Sequence, residues 1–199
     1  MTHERLPADT RSALTFIDAL YHEIALLIRE VEDALEGHGF LIGKPSGYGV
    51  TTRSSAGLEP QYVAQWLSRS FTVFFVPAGD TTSNQGVTKT HAKPDLRLLL
   101  LHIELPGPHS DQARILGGVI EDIEFLHGQQ KKFENFMSRF ALYGHRMFTT
   151  PAAVTYRDSY FAFRGRFTEE PLFAMTDTAT IHDRIVAPML EFWAPTSAG

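Results

Sequence analysis

The stretch from Asp9 or Thr10 to Glu36 sets the scale of everything around it. Leu14, Ile17, Leu20, Ile24, Leu27, Val31 and Leu35 recur at steps of three and four, which puts them on one stripe of an α-helix. Asp9 and Thr10 suit the N-cap, and Gly37 supplies the stop. At about 1.5 Å per residue the rod is about 40 Å long. A stripe of that length has to be buried against another layer of structure.

The strand candidates come next. "RSFTVFFVPAG" is rich in β-branched and aromatic residues and is stopped by Pro77 and Gly79. A polar loop is expected over 78–95. The run Leu96–Leu101 follows without clean alternation, as expected of a strand covered on both faces. Earlier, the glycine-rich stretch after helix one is turn chemistry, "YGVTTR" reads as a short strand, and "EPQYVAQWL" reads as a brief helix.

Residues 111–143 carry Leu116, Val119, Ile120, Ile123, Leu126, Phe133, Phe136, Met137 and Phe140 at helical spacing, which predicts a second long helix or two shorter ones broken at Gly128. "AVTYRDSYFAFRGRF" predicts strand, with a hairpin turn near Arg157–Asp158. The last element spaces Ile181, Ile185, Met189 and Trp193 four apart, with Pro188 set to kink or restart the helix. The expected fold is α+β: a modest, mostly antiparallel or mixed sheet packed against two long amphipathic helices. It forms a single globular domain over 1–199.

Composition narrows the function. A chain of 199 residues with 43% hydrophobic and 21% charged side chains has the makeup of a soluble globule. The net charge of −5 is spread over both halves, so no basic or acidic tail marks a polyelectrolyte partner. The absence of cysteine removes disulfides, thiolate zinc sites and cysteine nucleophiles, and fits a cytoplasmic address. The polar start "MTHERLPADTRS" lacks the apolar core of a signal peptide. Runs such as "IALLI" and "LLLL" fall short of the roughly 20 residues a membrane span needs, so no membrane is expected.

Several catalytic motifs fail on chemistry. His22-Glu23 begins a helical zinc-protease motif, but Leu26 stands where the second histidine belongs. Gly43-Lys44 is not followed by Ser or Thr, and His38 replaces the first glycine of a phosphate-binding loop. No G-x-S-x-G elbow occurs.

"KPDLRLLLLHIEL", residues 93–105, resembles in spelling the PD-(D/E)xK nuclease family: a Pro-Asp pair, then an apolar strand ending in an acid. That resemblance implies a divalent metal held by two acids, with a lysine two residues after the second. Pro106 occupies the lysine position. Asp95 and Glu104 also stand about 30 Å apart if the strand is extended, pointing to opposite faces. Asp80 is an alternative first acid, with Glu23 or Glu30 of helix one as a further ligand.

His102 and Glu104, two apart, share a face and form the better pair for metal binding or acid–base work. A divalent metal is expected only for such a hydrolase; otherwise no cofactor is. A nucleic-acid reading rests on residues 131–166, where Lys131, Lys132, Arg139, Arg146, Arg157, Arg164 and Arg166 are interleaved with aromatics. The favoured expectation is a non-catalytic binding protein, engaging a partner protein or a second copy of itself, with a homodimer as the expected form.

Overall fold

A computed structural model describes the protein over residues 6–43, 67–80, 97–107, 111–126, 136 and 153–194. Helix α1 spans Leu6–Glu36. It ends as Gly37 predicts: His38 and Gly39 donate backbone N–H groups to Leu35 and Glu36, and Gly39 takes φ 82°, a left-handed turn that glycine adopts without steric cost. Ile24, Leu27, Ile28, Val31 and Leu35 are buried, with Leu20 and Tyr21 packed beside them. Leu14 and Phe16, by contrast, remain 57% and 66% exposed. The helix meets the core only with its second half.

Among the described residues the sheet has six strands: β1 (Phe40–Ile42), β2 (Ser70–Pro77), β3 (Leu98–Glu104), β4 (Arg114–Phe125), β5 (Val154–Arg157) and β6 (Phe161–Pro171). Their order is β1-β2-β3-β4-β6-β5, with every neighbouring pair antiparallel. β3 is central and buried at every residue, which explains its unbroken apolar run. The β5–β6 hairpin turns where expected: Asp158 accepts from the backbone N–H groups of Tyr160 and Phe161 at 2.6 and 2.8 Å.

β4 overturns the second long helix. Leu116, Val119, Ile120 and Ile123 do fit helical spacing, but they lie on a strand paired on both edges. Such a strand buries consecutive side chains on opposite faces, so its apolar positions satisfy either period. Gly117 and Gly118 weigh against helix and serve close packing instead. A Cβ at Gly117 would stand 3.0 Å from Ile185 and Met189; one at Gly118 would stand 2.1 Å from the Arg166 carbonyl oxygen. Residues 127–143 lie outside the described residues except Phe136, as do the expected strand at 48–53, all of the brief helix over 59–67 but Leu67, and all of the loop expected over 78–95 but its first three residues, which form a 3-10 turn.

Among the described residues the fold has one long helix and a shorter C-terminal helical run. The run comprises α2 (Thr178–Ile181), a π-helical segment (His182–Val186) and α3 (Ala187–Trp193). Asp177 caps its start, accepting from the Thr180 N–H at 2.8 Å. Pro188 falls in the first turn of α3, just after the widened π turn; the irregularity accommodates a residue that has no N–H to donate. The far end is held by cations. Arg97 and Arg166 both donate to the Phe192 carbonyl, and the Arg97 guanidinium lies 4.5 Å from the Trp193 ring centre.

Alternation along the strands divides the core in two. Val73, Phe75, Leu99, Leu101, Ile115 and Val119 face α1 and the C-terminal helices. Phe74, Leu98, Leu100, Leu116 and Ile120 face the other way and pack with Phe161, Phe163, Phe167 and Phe136. Among the described residues no helix is long and apolar enough to cross a membrane.

Candidate functional site

On the face away from α1, antiparallel register arranges the sheet in cross-strand rows. Phe74, Leu100, Gly118 and Phe167 form an apolar row. The next holds Thr72, His102, Leu116 and Glu169, and the one after it Ser70, Glu104 and Arg114. Polarity is thus confined to one corner, where His102 and Glu104 share a face as their spacing predicts.

The corner is internally paired, and its β3 members are buried. Thr72 is fully buried, and its hydroxyl shares a 2.8 Å hydrogen bond with His102 Nδ1. Arg114 donates from Nε and Nη2 to the same Glu104 oxygen at 2.8 and 2.7 Å, and from Nη1 to Glu169 at 3.2 Å. One guanidinium therefore bridges two carboxylates. His102 is 1% and Glu104 7% exposed, so neither presents a surface on which a substrate can sit. For Glu104 to ligate a cation through the oxygen that Arg114 holds, the guanidinium would have to leave, because both positive charges compete for it.

Of the other acids proposed for a metal site, the described ones do not converge on this corner. Asp80 closes the 3-10 turn Ala78–Asp80 beyond the end of β2. Register places that end of β2 beside the start of β3, with Phe75 opposite Leu99 and Ser70 opposite Glu104. Leu98 to Glu104 spans about 20 Å of strand, so Asp80 and Glu104 are at opposite ends of the sheet. Glu23 and Glu30 belong to α1, which packs on the opposite face. Asp95 lies outside the described residues. Among those described, no three His, Asp or Glu side chains are grouped as a metal site.

Three members of the basic region are among the described residues. Arg166 is tied to the Phe192 carbonyl at 2.6 Å and stands 3.9 Å from Glu121; Arg164 is ion-paired with Asp122. Arg157, beside them, meets Glu124 at 3.4 Å. These arginines serve the β4 bulge and the helix end, and Asp122 itself takes φ 54° at that bulge. Lys131, Lys132, Arg139 and Arg146 lie outside the described residues.

Open surface of functional interest is found instead on α1 and just after β6. Leu14, Phe16, Leu26 and Phe173 are 57%, 66%, 51% and 69% exposed. Leu14 belongs to the helical stripe read from the sequence; Phe16, Leu26 and Phe173 were not part of that reading and carried no signal before the packing was known. Comparison with protein-family models, with curated proteins and with solved structures gives no match.

Proposed function

We propose that the protein works by binding rather than catalysis, and that it self-associates through the first half of α1. One observation carries the reading: Leu14, at the edge of the apolar stripe of α1 and before the half that meets the core, is exposed on a face flanked by opposite charges. Arg11, Leu14 and Asp18 stand at i, i+3 and i+7, so they share that face. Two copies of this helix crossing antiparallel about Leu14 set Arg11 of each against Asp18 of the other. A two-fold contact requires this self-complementarity.

The polar corner supports the non-catalytic side of the reading, since its charged groups are already paired with one another. Sedimentation velocity over a range of concentrations tests the proposal. A dimer is expected for the native chain and a monomer for Leu14→Asp, with unchanged circular dichroism because Leu14 is exposed. A monomer at every concentration refutes self-association.

A further inference from the structure

A groove of about 410 Å³ runs between α1 and the segment Leu172–Ile181. Its walls are Leu20, Ile24, Leu27, Leu172, Met175 and Ile181. Leu26 and Phe173, both more than half exposed, stand on it. Phe16 precedes Leu20, Glu23 and Leu27 at helical spacing and extends the same apolar track one turn further. This side of α1 is turned away from the Arg11–Leu14–Asp18 face.

The ionisable groups lining the groove are Glu23, Glu30 and Asp177, all acidic. Glu23 and Glu30 are two turns apart along one edge, about 10 Å. Asp177 lies at the start of α2, its carboxyl held below the ordinary range by the Thr180 N–H and hydroxyl and by the Thr176 hydroxyl. An apolar trough edged by carboxylates at a two-turn repeat matches an occupant with the inverse pattern. The matching ligand carries an apolar stripe with cations seven residues apart.

We propose that this groove docks a basic amphipathic helical segment of a partner protein, its apolar side between Leu26 and Phe173 and its lysines or arginines on Glu23 and Glu30. A second copy's α1 is a poor occupant, because its first half carries Asp9 and Asp18 against Arg11 alone. An anionic membrane is a poor one too, since an acidic edge is repelled by its surface.

Fluorescence anisotropy with the full chain tests this. The probe is a labelled peptide of about 18 residues with leucines at i, i+3 and i+4 spacing and lysines elsewhere. Its comparators are the glutamate counterpart and a lysine–leucine peptide scrambled to destroy the stripe. The lysine peptide is expected to bind at least about tenfold tighter than either, and less tightly as salt rises. Phe173→Asp, at an exposed position, should abolish binding, and Glu23→Lys with Glu30→Lys should shift preference to the glutamate peptide.

Equal binding of the lysine and glutamate peptides overturns the basic partner, as does no binding by any peptide. Binding indifferent to Phe173→Asp moves the contact off the groove. Loss of self-association in Phe173→Asp assigns the groove to a second copy and also overturns the proposal. The self-association reading stands or falls separately, on Leu14→Asp.

Discussion

Replacing Arg114 by methionine keeps the aliphatic stem and removes the guanidinium that bridges Glu104 and Glu169. Glu104 is then left at 7% exposure without its cation. Breaking a buried pair from one side costs about 3–5 kcal/mol, mostly as the penalty of the uncompensated charge. Arg114 retains some exposure, 18% for its side chain against 9% for Glu104, so water reaches the site and the lower end, about 3 kcal/mol, is expected. Glu104→Gln removes the other partner but leaves Arg114 bound to Glu169, which is 31% exposed; its cost should be about 1 kcal/mol. Because the double replacement Arg114→Met with Glu104→Met substitutes a packed apolar pair for an ionic one, it should fall within about 1 kcal/mol of the native protein. Urea denaturation followed by circular dichroism gives all four stabilities. If Arg114→Met costs less than about 1 kcal/mol, the pair does not hold the corner together and the reasoning fails.

Gly118→Ala should destabilise by about 3 kcal/mol, more than Gly117→Ala, because its Cβ meets a backbone oxygen rather than two flexible side chains; thermal unfolding ranks them. Thr72→Val should cost about 1–3 kcal/mol by removing the hydroxyl from His102 Nδ1, read from urea midpoints. Asp177, whose carboxyl is depressed below its ordinary 3.8 in the folded chain, contributes stability that is present above that value. This contribution is lost as pH falls through the lower, folded one. The thermal midpoints of native protein and Asp177→Ala should therefore differ at neutral pH and converge in strong acid. Magnesium, manganese and zinc should leave the native melting temperature unchanged; a rise abolished by Glu104→Gln would restore a metal role.

The parts legible in the sequence are those with one unambiguous period. α1 shows a single stripe, β2 and β3 are β-branched or continuously apolar between breakers, and the β5–β6 turn carries its aspartate. β4 was not legible as strand, because a strand buried on both faces places apolar residues where a helix would also want them. Its Gly117–Gly118 pair, worth about 2 kcal/mol against a helix interior, was the available signal. The same error concealed Arg114. His102 and Glu104 could be placed on one face by counting, but the cation opposite Glu104 is set by strand register, and register is a tertiary property. The exposed apolar positions were illegible for a related reason: Phe16, Leu26 and Phe173 differ from core residues only in what lies beside them.

The proposed antiparallel helix contact is tested most directly by exchanging its charges. Arg11→Glu converts two attractive pairs per dimer into two repulsive ones, weakening association by about 2 kcal/mol, roughly 30-fold, and Asp18→Arg should do the same. The chain carrying both changes recreates each pair with its signs reversed. Sedimentation equilibrium should show dissociation in each single variant and restored dimer in the double. Single variants that dimerise like the native chain, or a double variant no stronger than either, would contradict self-association through α1.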